Sequence, residues 1–241
     1  MEVIQLKNIK KKYGNTEVIK DTSLTIQKGE IFGLLGPSGS GKTTLIKMIS
    51  GIESPSEGAI YLFKEKMPSH DLIRKIGYMA QSDGLYLDLT GLENLVFFAS
   101  INGLRGNQKK NKIKEVLDLI NLTGHENKLI RNYSGGMKRR LSLAVSLLHD
   151  PGVLLLDEPT VGIDPVLRQS IWDELRQLKS KGTTVLVTTH VMDEAEKCDR
   201  LAMMRNGEII AIGSPDELKE STGSSSIEEA FLEYGGVKNE G

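Results

Sequence analysis

The chain has 241 residues, 39% hydrophobic and 26% charged, with 31 Lys plus Arg against 32 Asp plus Glu. That length suits one large α/β domain or two small ones, and buries enough apolar surface to need no disulfides or structural metals. The near-zero net charge gives no electrostatic footprint for nucleic acid, so none is expected as a partner.

Cys198 is the only cysteine, which excludes an intrachain disulfide and fits a reducing, cytoplasmic compartment, as a thiol packed or half-exposed on a helix. The opening MEVIQLKNIKKKYG lacks the apolar centre of a signal peptide. No apolar run approaches the roughly 18 residues of a membrane helix. Action at a membrane would therefore require a separate spanning partner.

In chain order, residues 1–30 read as β-structure, with strands near 3–9 and 23–26 and turns at Tyr13-Gly14-Asn15 and Lys28-Gly29. Ile31-Phe32-Gly33-Leu34-Leu35 is a continuous apolar strand, followed at once by a glycine-rich loop. Residues 43–50 then read as a helix, with Leu45, Met48 and Ile49 on one side. From about 85 to 148 the period is helical. Ile113, Val116, Leu117 and Ile120 form a buried stripe on a helix that opens with solvated lysines.

Beyond it, strand 153–156, helix 166–179 and strand 184–188 make a β-α-β unit. Asn206-Gly207 between 201–204 and 208–211 signals a hairpin, because both turn residues favour positive φ. The run 221–226 reads as a flexible link to a short helix over 227–234. A parallel α/β core at both ends of the chain is thus interrupted by a helical segment. Covering both sheet faces explains strands that are uniformly apolar.

Gly36-Pro37-Ser38-Gly39-Ser40-Gly41-Lys42-Thr43 fits the P-loop spacing G-x-x-x-x-G-K-[ST], between an apolar strand and a helix as that loop requires. Its glycines let the backbone wrap a polyphosphate with N–H groups inward. The following helix aims its positive end at the same phosphates. Lys42 would reach the β/γ-phosphates, and Thr43 would ligand Mg²⁺ through its hydroxyl. At the end of the strand Val153-Leu154-Leu155-Leu156, Asp157 is placed to hold the magnesium shell. Glu158 comes next and is placed as general base toward an in-line water.

Ser134-Gly135-Gly136 precedes a helix with Leu141, Ala144, Val145 and Leu148 facing inward, so these amides form a second anion site. Lys138, Arg139 and Arg140 crowd the first turn against the dipole preference. A nearby phosphate would offset that; a solvated charge run is the alternative. His70, His125 and His149 lack metal-ligand spacing and read as surface residues.

Taken together, in order and spacing, these motifs resemble the nucleotide-binding subunit of ATP-binding cassette (ABC) transporters over about residues 2–220. The resemblance implies an α/β P-loop NTPase (RecA-like) core with an N-terminal antiparallel β subdomain. It implies an ATP-binding domain over 1–225, a helical subdomain inserted at about 85–148, and a short C-terminal helix and tail over 226–241. It implies that Tyr13 stacks on adenine, and that Thr44 joins the P-loop residues in holding ATP. Gln81, in Met79-Ala80-Gln81-Ser82, matches the Q-loop glutamine, a magnesium and water contact that senses the membrane partner.

Tyr133-Ser134-Gly135-Gly136-Met137 matches the signature motif, with Tyr133 for the usual leucine and Met137 for the usual glutamine. Ser134, Gly135 and Gly136 therefore remain as its ligands. Asp164, in Thr160-Val161-Gly162-Ile163-Asp164, is the D-loop aspartate, and His190 is the switch histidine. The block Tyr-Ser-Gly-Gly-Met-Lys-Arg-Arg is similar to that of subunits serving drug, antibiotic and polysaccharide exporters, which points to export.

The resemblance further implies magnesium-dependent ATP hydrolysis, and homodimerisation in which each signature motif caps the partner's ATP. It implies an integral membrane permease as partner, and a peripheral place on the cytoplasmic face of the cell membrane. In the family, the region from Ser82 to Thr90 and the helices after it form a groove for a coupling helix of the membrane subunit. Some of these unusually apolar loop residues could instead pack under the helical segment.

One alternative is a non-transport member acting on ribosomes or DNA. Such proteins carry two cassettes or a long coiled coil between P-loop and signature. Here Thr43 and Ser134 lie only about 90 residues apart, without sustained heptads. A nucleotide-binding module without catalysis is opposed by Glu158 and His190.

Overall fold

The computed structural model describes residues 1–82 and 84–236. Asp83 of the apolar loop and the tail expected over 237–241 lie outside the described residues. Strands β1 (Glu2–Tyr13) and β2 (Thr16–Gln27) form a long antiparallel ribbon. Both exceed the spans expected from their apolar residues. Lys10, Lys11 and Lys12 stay in β1 because they pair with Glu57, Glu53 and Glu17, so charge at the surface masked the strand.

Then follow β3 (Ile31–Leu35), α1 (Lys42–Ile49), β4 (Glu57–Leu62), β5 (Glu65–Lys66), α2 (His70–Ile73) and β6 (Ile76–Met79). The order β2-β1-β4-β5 makes a four-stranded antiparallel sheet. The helical segment holds α3 (Gly91–Ile101), α4 (Gly106–Leu119), a 3₁₀ turn at Ile130–Asn132, and α5 (Gly135–Leu147). Its stripe of Ile113, Val116, Leu117 and Ile120 is buried. Lys112, by contrast with the solvated lysines expected, is buried and pairs with Asp150 and Glu115.

The rest is β7 (Val153–Asp157), α6 (Pro165–Ser180), β8 (Thr184–Thr189), α7 (Met192–Ala195), β9 (Arg200–Arg205), β10 (Glu208–Gly213), α8 (Pro215–Thr222) and α9 (Ile227–Tyr234). A second sheet runs β10-β9-β3-β8-β7-β6, parallel except for β10. Asn206 and Gly207 both have positive φ, as the tight β9–β10 turn requires.

Two corrections fall near the end. Ser221 and Thr222 belong to α8, and Gly223 ends it at φ 66 rather than opening a flexible link. A capping box between Ser214 and Glu217 starts that helix. Cys198 is packed, as expected, but in the turn after α7 rather than on a helix, where burial pushes its thiol pKa up.

Successive residues of β7 and β8 serve opposite sheet faces. Leu154, Leu156, Val185 and Val187 join Leu141, Ala144, Trp172 and Leu175 in one core. Val153, Leu155 and Leu186 join Phe32, Leu45, Ile46 and Ile4 in the other, toward α1 and the antiparallel sheet. The runs 153–156 and 185–187 are continuously apolar because both sheet faces are buried, and α/β sheets of this kind place their sites at the carboxyl ends of the strands.

Candidate nucleotide site

The loop after β3 folds as a phosphate cradle for steric reasons. Gly41, at φ 105, leads into α1, and a Cβ there would stand 2.5 Å from Ile19 Cδ1. At Gly36 a Cβ would press into the Met204 carbonyl and stand 2.8 Å from Ser40 Oγ. Lys42 begins α1 and is only 5% exposed, its Nζ donating to the carbonyls of Gly36 at 2.7 Å and Pro37 at 3.1 Å. Burial pushes its pKa down, while Glu158 and Asp157 push the other way. Ser38, Gly39, Thr43, Thr44, Gln81 and Glu158 help line a cleft of about 330 Å³.

Across the cleft, β7 ends in the two carboxylates. Asp157 is 0% exposed. Its Oδ1 accepts from Thr188 Oγ1 at 2.7 Å and from Thr43 Oγ1 at 3.2 Å. Oδ2 is buried without a hydrogen-bond partner among the described residues. A hard cation fits this pair: a magnesium ion takes oxygen donors, and needs only one or two from protein when phosphates and water supply the rest.

Glu158 turns out of the strand at φ 51, with its N–H donating to Thr188 Oγ1 at 2.9 Å. Three groups surround its carboxylate. Gln81 Nε2 lies 3.4 Å from Oε2, His190 Nδ1 3.2 Å from Oε1, and Lys42 Nζ 3.8 Å from Oε1. Four expected catalytic residues, drawn from four separate parts of the chain, therefore meet.

Tyr13 stands apart at the end of β1. It is half exposed, its hydroxyl donates to Glu53, and Lys11 Nζ sits 5.0 Å from its ring centroid. Ser134 and Asp164 form helix caps in the described structure: Ser134 Oγ accepts from Met137 N at 3.2 Å, and Asp164 Oδ1 from Leu167 N at 3.0 Å. Among the described residues no hydrogen bond or ion pair joins either to the P-loop cluster. Gly135 and Gly136 open α5 beside Ser134.

The departures from the usual signature are core residues. Tyr133 is buried and donates to the His125 carbonyl at 2.8 Å, and Met137 packs against the helical core.

The structure corrects two surface readings. Arg139 is buried and bonded to main-chain carbonyls, and Arg140 Nη1 donates to the carbonyls of Ile120 and Asn121, so this is no solvated run. His149 is half-buried with Nε2 on the Ile76 carbonyl at 3.0 Å, and burial lowers its pKa.

Two polar residues escaped the sequence reading. Glu194 accepts from Thr160 and from Thr189 at 2.6 Å, linking the D-loop to the strand end before His190. Fully buried Asn94 donates to the carbonyls of Tyr86 and Thr90, fixing the loop before α3. No periodicity marks either residue, since the partners of Glu194 lie in the D-loop and at the end of β8 and those of Asn94 in the loop before α3; only a polar residue inside an apolar helix stripe could have flagged Asn94.

The profile of the family described as ABC transporter matches residues 19–161. A Nod factor export ATP-binding protein I of Burkholderia lata is 42% identical, over 90% of this chain and 73% of its own. The linearmycin resistance ATP-binding protein of Bacillus subtilis is 41% identical, over 95% and 78%. A protein of Escherichia coli K12 named "Probable multidrug ABC transporter ATP-binding protein YbhF" is 40% identical over 96% of this chain. The chain spans only 41% of that relative's length.

Among solved structures, an ATP-binding subunit of an ABC transporter superposes with TM-score 0.88 at 27% identity, covering 97% of this chain and 99% of its own. A dimeric post-hydrolysis cassette bound to ADP and Pi gives 0.81 at 29% identity, over 88% and 98%.

Proposed function

The chain belongs to the ABC transporter family, and from that premise we propose that it hydrolyses ATP to drive export through a separate membrane permease. The convergence of Lys42, Gln81 and His190 on the Glu158 carboxylate, beside the Asp157–Thr43 oxygen pair, carries this reading. In it, the P-loop from Gly36 to Thr43, with Thr44, binds the phosphates through backbone amides, the helix end and the Lys42 ammonium. Asp157 and Thr43, with Gln81, would hold a magnesium ion, which would supply neutralisation of the phosphate charge. Glu158 takes the proton from the attacking water. Gln81 and His190 orient that carboxylate and the water beside it. Tyr13 takes the adenine, in exchange for its contact with Lys11.

Ser134, Gly135, Gly136 and Asp164 act on the ATP of a second copy. That role agrees with their place on caps away from the P-loop cluster and with the dimeric state of a structural neighbour. The ATP-binding domain runs over 1–225 with the helical subdomain inserted at 85–148. Relatives named for export and resistance favour export.

No helix among the described residues is long and apolar enough to cross a membrane. Attachment to the cytoplasmic face therefore runs through the permease, and Tyr86, Leu87, Val96, Phe97 and Ile101 offer an exposed apolar surface for it. The test is ATPase activity of the purified chain with magnesium, followed by identification of the integral membrane protein that copurifies with it. A chain that binds ATP and releases no phosphate, alone or with that protein, overturns the proposal.

A further inference from the structure

We infer that Arg139 is a positioning residue for ATP hydrolysis, tying the start of α5 to the backbone that carries Glu158 and Gln81; the inference rests on the ATPase reading above. Arg139 is the fifth residue of α5, one turn beyond Ser134, and is 5% exposed. A guanidinium has five N–H donors in a rigid plane. Here Nε donates to the Pro159 carbonyl at 3.2 Å, and Nη1 to those of Ala80 at 2.8 Å and Gln81 at 3.0 Å. Nη2 donates to the carbonyls of Asp157 and, at 2.5 Å, Glu158.

The main chains of two separate loops thus close on one side chain. One loop carries the amide Gln81 and the other the carboxylate Glu158, whose φ of 51 is a conformation non-glycine residues seldom adopt. The same carbonyls offset a cation at a helix N-terminus, which the dipole alone disfavours. Because the helix is stiff over its first turn, any displacement of Ser134 and the two glycines moves the guanidinium, and with it both loops. These bonds go to the main chains that carry Gln81 and Glu158, so the effect argued here is on the placement of the base.

Arg139→Lys keeps the charge and loses the fork. The measurements are kcat and KM for MgATP, the Kd of a non-hydrolysable ATP analogue, and the melting temperature, on the full chain. We expect kcat to fall roughly 10–100-fold, as happens when a reacting group is misplaced by about an ångström. The analogue Kd should stay within about threefold of wild type. Arg139→Gln, whose amide nitrogen reaches only as far as the Nε position, should lose at least as much kcat, again with little change in the analogue Kd. A purely structural role would lower the melting temperature and leave kcat per folded molecule intact. A kcat for Arg139→Lys within about threefold of wild type overturns the inference, as does a loss confined to Kd. If the wild-type chain itself does not hydrolyse ATP, the ATPase reading fails first.

Discussion

His190 Nδ1 and Glu158 Oε1 stand 3.2 Å apart, although 32 positions separate the two residues in the chain. β7 delivers the glutamate and β8 the histidine, and the parallel pairing of these strands, Asp157 opposite Thr188, puts both strand ends at one rim. The contact follows from sheet register, and it gives the carboxylate a neighbour that can hold its orientation while a proton moves.

Glu158→Gln tests the base directly. The amide keeps the side chain's shape and cannot take a proton, so hydrolysis should fall by about 10²–10⁴-fold, the usual contribution of a positioned base. ATP should then persist between two copies, and the variant should elute as a dimer with MgATP and as a monomer without it. A monomer in saturating MgATP would count against the shared site.

Lys42→Ala separates binding from folding. Lys42 is buried against two loop carbonyls and near two carboxylates, in a cleft open to phosphates. A charge-assisted hydrogen bond contributes about 1.5–3 kcal/mol, so ATP affinity should weaken roughly 10–100-fold. Titration of a fluorescent ATP analogue, with circular dichroism to check the fold, measures this. Hydrolysis near the wild-type rate would remove Lys42 from the site.

The parts of this site that can be read from sequence are those with local causes. The P-loop needs its glycines, lysine and threonine in one short run, and an acidic pair at the end of an apolar strand is also local. Arg139 is different in kind: its partners are main-chain carbonyls 18 to 59 positions away, which carry no residue signature. The basic run Lys138-Arg139-Arg140 near the start of α5 is a visible anomaly, but the sequence suggests only a phosphate or a solvated run as its cause, and the carbonyls that satisfy Arg139 are not among them. Strand β6 has no local signal of that kind, because it is only four residues long and Gly77 interrupts its apolar run. Gly77 is needed there, since a Cβ would press into the Ser146 carbonyl.

His149 predicts a pH dependence of stability. Burial holds its pKa below the ordinary 6.5, with the Ile76 carbonyl and Asp150 opposing in part. The unfolded chain therefore takes up a proton near pH 6.5 while the folded chain stays neutral at this ring. The sign follows: stability from this group is present above pH 6.5 and is lost as pH falls toward the lower folded value. His149→Gln retains a donor for the Ile76 carbonyl and does not titrate. Between about pH 7.5 and about pH 5.5, the wild-type melting temperature should drop more than that of the variant. Equal drops would mean that His149 is protonated in the fold.

The last prediction concerns the permease. Tyr86 is 49% exposed and Leu87 51%. Tyr86 packs edge-on against Phe97, and Phe97 against Phe98, leaving an apolar surface at the start of the helical segment. Leu85 does pack against the helical core, so only part of this loop faces outward. The exposed part is tied to its neighbours by hydrogen bonds. Asn94 brackets Tyr86 by its N–H and carbonyl, the Leu87 carbonyl accepts from Arg131 N, and Thr90 caps α3. An apolar surface a few residues beyond Gln81 can receive a helix from a membrane protein and pass its movement to the base. Leu87→Glu should therefore release the chain from membranes carrying the permease, because a carboxylate would be desolvated in the joint. Activity of the isolated chain should stay near wild type, since Leu87 contacts none of Lys42, Gln81, Asp157, Glu158 or His190 through its described bonds. A membrane pull-down and a phosphate-release assay on one preparation decide it. Retained membrane binding with lost hydrolysis would make this loop a support of the active site instead of a docking surface.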